Sequence, residues 1–185
     1  MLLFAWVELL LAWAAWLYPF VLRAPHRQKR PSTTVAGPTR VGLALECLAI
    51  ALALNIRRPD STPPGLPRVV ASLVCAGCGV VLAWTAVTHL GKQFRIHAGL
   101  YEDHELVRTG PYALVRHPIY ASLLTMLLCT LLLLTPWPWA LVSLAVFVTG
   151  TEIRVRTEDR LLESRFGESF RDYRRRVPAY LPFVR

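Results

Sequence analysis

The sequence is poor in charged residues, and most of its charge is positive. Charged residues make up 18% of the 185 positions, whereas 54% are hydrophobic. This proportion of charge is low for a soluble domain. The sequence also has no glycine-rich phosphate loop, no GxSxG nucleophile elbow and no ligand spacing typical of a metal site. The protein classes that those motifs define are therefore excluded, and we expect no metal.

Long apolar windows are what the sequence does contain. A membrane-spanning helix needs roughly 20 mostly apolar residues, and five windows meet or approach that length: 2–22, 41–56, 69–90, 119–134 and 137–155. The second window is short, so it would have to thin the bilayer locally or include flanking residues. The sequence therefore predicts a multi-pass integral membrane protein that has the lipid bilayer as a partner.

The basic residues are unevenly distributed between the loops. Lys and Arg number 21, against 12 Asp and Glu. If the N-terminus lies outside, the cytoplasmic segments 23–40, 91–117 and 154–185 contain eighteen of the 21. This bias follows the positive-inside rule. It accounts for the basic charge, and we expect no nucleic-acid partner.

The predicted fold is an all-α polytopic membrane helix bundle of about five transmembrane helices. We expect one integral membrane domain over 1–185, with three N-terminal spans in 1–90 and a candidate catalytic region in 91–185, where the charged and polar residues able to do chemistry are concentrated. The short turn at 135–139 contains two prolines and joins spans four and five into a helical hairpin.

The same hairpin sets the position of the polar segments. It returns the chain, so segments 91–122 and 152–182 flank one helix pair at the predicted cytoplasmic face. The stretch 158–177 has apolar residues at helical spacing and predicts a basic amphipathic helix that Gly167 interrupts. The topology alone would assemble one site from these segments at that face.

The stretch TGPYALVRHPIYAS places cations and phenols at the start of span four. Pro118 is compatible with the first turn of a helix, and Arg116 and His117 precede it directly. A helix N-terminus has free N–H groups and a partial positive charge. Together these groups would bind a carboxylate or phosphate. The alternative is that Arg116 and Tyr120 only anchor the chain at the membrane interface.

A second cluster follows span five. Arg154 and Glu158 are four residues apart and therefore share one face of a helix. They form either an ordinary ion pair or a functional pair, in which the arginine binds an anion and the glutamate accepts a cation or ammonium group.

The two clusters together resemble a known family. GPYALVRHPIYAS, followed after one hairpin by RTEDRLLESRFGESFRDYRRRVPAYLPF, resembles the isoprenylcysteine carboxyl methyltransferase and phospholipid methyltransferase group of integral membrane enzymes. The resemblance covers about half of the chain, from Phe94 to Phe183. It implies that S-adenosylmethionine is the methyl donor, with S-adenosylhomocysteine as product. The donor would bind between the segment before span four and the C-terminal region.

The resemblance also implies roles for individual residues. The H-x-L-V element would hold the adenosyl part of the donor, and the R-H-P-x-Y element would hold its methionine part. These elements correspond to His104, Glu105, Leu106 and Val107, and to Arg116, His117, Pro118, Ile119 and Tyr120, with Tyr112 between them.

Further site residues are implied at both ends of the matched region. Glu158 would face the cofactor and Arg154 the reacting group of the substrate. His97 would line the pocket, with a residue type different from that of relatives. Ser122 replaces the usual glycine, and Asp159 replaces a glutamate, which leaves the role of Asp159 open.

The expected activity is carboxyl O-methylation of a prenylcysteine-like lipidic acceptor. A carboxylate is ionised at neutral pH and needs no base, so Arg154 would orient it. The alternatives are amine N-methylation of a phospholipid and S-methylation of a thiol, for which Glu158 would accept the proton. Two other classes of protein stay open. One is an NADPH-dependent membrane reductase, because such reductases have a C-terminal arrangement similar to that of this chain. The other is a non-enzymatic membrane protein that retains the fold.

Overall fold

The computed structural model describes residues 2–22, 33–34, 36–59, 62–91, 99–100 and 105–180. Within them the chain forms six α-helices: α1 Leu2–Leu22, α2 Ala36–Asn55, α3 Leu66–Leu90, α4 Pro118–Leu134, α5 Trp137–Phe166 and α6 Glu168–Arg176. Two strands of two residues each, β1 Thr33–Thr34 and β2 Gly99–Leu100, pair antiparallel. The prediction of an all-α membrane bundle is confirmed, with this small strand pair as an addition.

Four of the helices, α1, α2, α3 and α5, are long and apolar enough to cross a membrane. The prediction that the second span is short is wrong. Helix α2 begins before the apolar window 41–56, at Ala36, and has 20 residues. Pro38 does not stop it, since the missing N–H of a proline is tolerated in the first turn. The short apolar helix is α4, with 17 residues.

Helix α4 lies at the centre of the bundle. It packs along α3, and it also contacts α1, α2 and α5. Twelve of its residues are buried, on all sides of the helix, which matches a sequence that is apolar around its whole circumference. At 1.5 Å per residue α4 is about 26 Å long. Its neighbours, rather than lipid, therefore cover most of its surface.

The connections between helices meet at two opposite ends of the bundle. At one end the β1–β2 pair joins the α1–α2 connection to the α3–α4 connection. At the other end the Thr135 hydroxyl donates to the Ala53 carbonyl at 3.0 Å, and Arg58 Nη2 donates to the Leu132 carbonyl at 2.7 Å. The first end therefore contains the starts of α2 and α4 and the charged part of α5.

Helix α5 extends well beyond the predicted span 137–155. It has 30 residues and ends at Gly167, which adopts a φ of 53° and donates its N–H to the Glu163 carbonyl. That φ is in the region that favours glycine. The predicted interruption at Gly167 is therefore confirmed. The predicted start of the amphipathic helix at 158 is wrong, because residues 158–166 continue α5 and only α6 follows the glycine.

Helices α2 and α5 approach each other closely at two glycines. A Cβ atom built on Gly42 would lie 2.7 Å from the carbonyl oxygen of Gly150, and one built on Gly150 would lie 2.6 Å from that of Gly42. Neither helix has room for a side chain at this crossing. The close approach brings the side chains one turn further along both helices into contact.

Candidate active site

The start of α4 is tied to the C-terminal segment by backbone hydrogen bonds. The N–H of Arg116 donates to the carbonyl of Pro178 and that of His117 to the carbonyl of Ala179, both at 2.8 Å. The Tyr173 hydroxyl also donates to the carbonyl of Tyr112, in the 3-10 turn before α4. The structure thus brings together the two polar segments that the hairpin was predicted to bring together.

Asp159 of α5 binds both cations that precede α4. Its Oδ2 accepts from Arg116 Nη2 at 2.9 Å, and its Oδ1 lies 2.9 Å from His117 Nε2. All three side chains are largely buried. The role of Asp159, which the sequence left open, is therefore to pair with the arginine and the histidine.

Glu158 faces the same histidine from its other side. Its Oε2 lies 3.4 Å from His117 Nδ1, and its Oε1 accepts a hydrogen bond from the Tyr120 hydroxyl. Both ring nitrogens of His117 thus face carboxylates, which suits the doubly protonated ring. Burial acts to lower the pKa of His117, but the hydrogen bonds and charges of Asp159 and Glu158 outweigh it and raise the pKa to about 9.

Arg154 is paired with a residue from another helix. Its Nη1 donates to Oε2 of Glu46 in α2 at 2.6 Å, and its guanidinium lies 4.7 Å from the ring centroid of Tyr120. The expected alternative of an ordinary Arg154–Glu158 ion pair is therefore wrong, because Glu46 takes the place of Glu158. Arg154 and Glu158 do point toward one cluster, since Tyr120 contacts both.

The charges of this cluster balance. Three acids, Glu46, Glu158 and Asp159, lie among three bases, Arg116, His117 and Arg154. A buried charge is tolerated when it is paired and hydrogen-bonded. The network can therefore persist at the end of an apolar bundle with His117 protonated.

Two donors in the cluster are unused. Arg116 Nε and Arg154 Nε are buried and have no acceptor among the described residues. A buried N–H without a partner is costly, and an anion is its natural acceptor. The site is thus chemically suited to an additional carboxylate.

The remaining predicted residues lie around this cluster or outside the described part. His97 and His104 fall outside the described residues. Glu105 is exposed, Leu106 and Val107 are half-buried, and all three precede the 3-10 turn. Pro118 is the buried first residue of α4, as predicted, and Ile119 beside it is half-buried.

The sequence did not predict which bases Glu46 and Asp159 would pair with. Glu46 lies in a predicted span, where an acid is costly unless it faces the bundle, and it is 1% exposed. Its partner Arg154 lies 108 residues away in the chain, and no local pattern signals that contact. Asp159 carried a signal, since it directly follows Glu158, but not the identity of its partners.

Apolar helices with a buried, charge-balanced cluster at one end define a polytopic membrane protein with a candidate catalytic site. The sequence model of the isoprenylcysteine carboxyl methyltransferase (ICMT) family matches residues 70–164, about half of the chain. The chain belongs to this family. The matched residues include the start of α4, Arg154, Glu158 and Asp159, but not Glu46.

Curated relatives agree with the family assignment. The chain is 33% identical over 108 residues to protein-S-isoprenylcysteine O-methyltransferase of Schizosaccharomyces pombe, which covers 57% of this chain and 46% of the relative. It is 31% identical over 121 residues to protein-S-isoprenylcysteine O-methyltransferase B of Arabidopsis thaliana, covering 65% of this chain and 58% of the relative. The chain thus spans about half the length of these relatives.

A third relative has a different name. The chain is 37% identical over 99 residues to the cobalt-zinc-cadmium resistance protein CzcN of Cupriavidus metallidurans, covering 48% of this chain and 42% of the relative. In the part of the chain that the structure describes, no three His, Cys, Asp or Glu side chains are grouped so that they could hold a metal ion.

Proposed function

We propose that the chain is a membrane methyltransferase that transfers the methyl group of S-adenosylmethionine to the carboxylate of a prenylcysteine-like lipidic acceptor. The observation that carries this proposal is Arg154, a buried arginine beside Tyr120 and Glu158 with an unused Nε donor. Family membership supports the reaction class, and the names of two relatives support the acceptor class.

The charge balance of the site favours a carboxylate acceptor. The donor supplies a methyl group activated by a positive sulfonium. The protein's own charges cancel, so an anionic acceptor would offset that added positive charge, whereas an amine or a thiol would not. An anionic oxygen attacks the methyl carbon without losing a proton, and the bond from carbon to sulfur breaks to give a methyl ester and S-adenosylhomocysteine.

The proposed roles follow from position. Arg154 binds and orients the acceptor's carboxylate. Glu158, Tyr120 and the residues before α4 hold the donor, with Asp159 keeping Arg116 and His117 in place. Because the displacement is in line at an already activated carbon, the protein contributes mainly orientation and electrostatic stabilisation. For an amine or thiol acceptor, Glu158 is the candidate proton acceptor.

We further propose that the site faces the cytoplasm. The loops at the site end of the bundle contain most of the lysines and arginines, which is the distribution of cytoplasmic loops. The apolar surfaces of the helices beside the site would give a lipidic acceptor access from the bilayer.

The test uses the purified full chain in detergent. Calorimetric titration with S-adenosylhomocysteine and with NADPH separates a methyltransferase from a reductase, and we expect binding of the first only. Binding of NADPH alone would overturn the proposal. Binding of neither would support a non-enzymatic protein.

Acceptor class is then measured with isotopically labelled donor. N-acetyl-S-farnesylcysteine, phosphatidylethanolamine vesicles and a small alkyl thiol are offered in parallel, and we expect label in the first. A matched pair of variants tests the site itself. Glu158→Gln should weaken S-adenosylhomocysteine binding, and Glu163→Gln, a more exposed position on the same helix, should not.

A further inference from the structure

Glu46 reaches the candidate site from a helix outside the family-matched region. It lies in α2, is 1% exposed and has both carboxylate oxygens bonded. Oε2 accepts from Arg154 Nη1 at 2.6 Å, and Oε1 accepts from the Thr151 hydroxyl at 3.0 Å. Both partners are on α5, so Glu46 makes its polar contacts with the helix that carries Arg154.

Arg154 is held from two directions. Glu46 binds one end of the guanidinium, and the Tyr120 ring lies 4.7 Å from its centre. An arginine side chain otherwise loses up to about 2 kcal/mol of rotamer freedom when it is fixed. With Nη1 bonded to Glu46, Nε is left without an acceptor in the described part of the chain.

The backbones of α2 and α5 are shaped around this contact. Gly42 lies one turn before Glu46, and a Cβ atom built there would lie 2.5 Å from Cγ of Arg154. Gly150 lies one turn before Arg154 and contacts Gly42. The stem of the arginine thus passes through space that any other residue at position 42 would fill.

We propose that Glu46 is a positioning residue that fixes the orientation of Arg154 for the acceptor's carboxylate and balances its charge until that carboxylate binds. The inference rests on the proposed function. Its alternative is a structural role, in which the Glu46–Arg154 pair only holds α2 against α5. Either role lets the loss of Glu46 lower stability, because a buried charge then lacks its partner. A purely structural role would lower donor affinity and turnover together, whereas a positioning role lowers turnover and leaves donor affinity in place.

The experiment compares Glu46→Gln with Glu8→Gln as a matched control. Glu8 is also a buried glutamate in a membrane helix, bonded to Ser72 and away from the site. Turnover of N-acetyl-S-farnesylcysteine and affinity for S-adenosylhomocysteine are measured for each. We expect Glu46→Gln to lower kcat at least about tenfold, since a misplaced catalytic contact costs up to about 100-fold. The affinity of this variant for S-adenosylhomocysteine should stay within about twofold of the wild-type value.

The acceptor's KM gives an independent readout. Glu46→Gln leaves the Arg154 charge free for the acceptor, so KM should stay level or fall while kcat falls. Glu46→Asp keeps the charge on a shorter stem and should recover part of kcat. Glu8→Gln should leave both parameters within about twofold of the wild type.

Three outcomes would overturn the inference. The first is a wild-type kcat in Glu46→Gln. The second is a parallel loss of kcat, donor affinity and helical content, which would assign a structural role. The third is a wild type that transfers no methyl group to this acceptor, which overturns the proposed function and this inference with it. Normal wild-type turnover with an unaffected Glu46→Gln overturns the inference alone.

A milder variant covers the case in which Glu46→Gln does not fold. Thr151→Val removes the hydroxyl that holds Oε1 of Glu46 and leaves every charge in place. We expect kcat to fall at least about threefold with donor affinity unchanged, because Glu46 loses a hydrogen bond to its charged carboxylate. An unchanged kcat in this variant would overturn the inference.

Discussion

Glu8 in α1 and Glu46 in α2 are both buried glutamates of apolar helices, and their surroundings differ. Glu8 in α1 accepts one hydrogen bond, from Ser72 at 2.7 Å, and its second oxygen is buried without a partner in the described part of the chain. Glu46 in α2 is bonded through both oxygens, to an arginine and a threonine. Apart from Ser72, Glu8 lies among apolar side chains of α1 and α3, whereas Glu46 is one member of a network of six charges.

The surroundings of the two glutamates distinguish two regions of the bundle. The region around Glu8 is held by packing, whereas the region around Glu46 has the charged groups that chemistry requires. The end of the bundle near Glu8 is stabilised by apolar contacts. Single substitutions on the surface of such a region change the free energy of unfolding only slightly. The other end depends on charges that are costly to bury unless each has its partner. Removing one member of that network should therefore have consequences out of proportion to its size.

Asp159→Asn should produce the largest loss of stability. The substitution leaves the two buried cations Arg116 and His117 without their shared carboxylate. Breaking a buried pair in this way costs about 3–5 kcal/mol. We expect a matching drop in the free energy of unfolding, measured by titration with denaturing detergent. Glu168→Gln, which removes an exposed carboxylate of α6, is the control and should change little. Equal losses in both variants would contradict the distinction between a buried carboxylate of the network and an exposed one.

Arg154→Ala should produce the largest loss of activity among the substitutions on α5. Turnover should fall about 100-fold, the scale of one aimed electrostatic contact, while S-adenosylhomocysteine still binds. Arg154→Lys keeps the charge without the planar fork and should recover only part of the activity. These values are measured with labelled donor and any working acceptor.

Arg156 provides the matched control for that prediction. It lies two residues further along α5, its side chain is 70% exposed, and it pairs with Glu152 at 2.7 Å. Arg156→Ala should cost under about 1 kcal/mol of stability and leave turnover unchanged. A similar loss of turnover at both arginines would show that charge on α5, and not the position of Arg154, is what matters.

Gly150→Ala should have an intermediate effect. The added methyl group would meet the Gly42 carbonyl at 2.6 Å and the Leu45 Cβ at 2.8 Å, both part of the facing helix. Overpacking of this kind costs about 1–3 kcal/mol, and the thermal midpoint should fall accordingly. Gly77→Ala is the control, because a Cβ atom there meets nothing within 4 Å. A stable Gly150→Ala protein with full activity would contradict the close approach of α2 and α5.

The pH dependence should be the most gradual effect, because it extends over the whole interval between the ordinary and the raised pKa of His117. The pKa of His117 is raised from 6.5 to about 9 in the folded protein. The resulting stabilisation is complete below about 6.5 and is lost as the pH rises through about 9. The thermal midpoint of the wild type should fall by roughly 10 °C across that window. In His117→Gln this decline should be absent, and an identical decline in both proteins would argue against a protonated His117.

The sequence predicted the helices better than their ends. Apolar windows locate spans, because a bilayer requires them, but a helix does not stop where apolar residues stop. Helix α2 begins at Ala36 and α5 continues to Phe166 because polar and charged residues such as Arg40 and Glu158 are compatible with a helix. Only Gly167, whose φ is 53°, ends α5.

The site was predictable in its local parts and not in its pairing. The run from Arg116 to Tyr120 is contiguous, and Arg154 and Glu158 share a face, so spacing was enough to single them out. The partners of these residues come from other helices. Glu46 and Thr151 meet across 105 positions of sequence, and only packing of α2 on α5 determines that contact.

The close contact between Gly42 and Gly150 provides a pivot point about which α5 could tilt. Gly150 lies 13 residues after the start of the helix and 16 before its end, which places the two ends about 20 and 24 Å away at 1.5 Å per residue. Arg154 is about 6 Å from the same point. If the helix rocks by about 10° when bilayer thickness changes, Phe166 travels about 4 Å and Arg154 about 1 Å. Such a motion about the Gly42–Gly150 contact would displace Arg154 far less than the end of α5, because the arginine lies close to the contact.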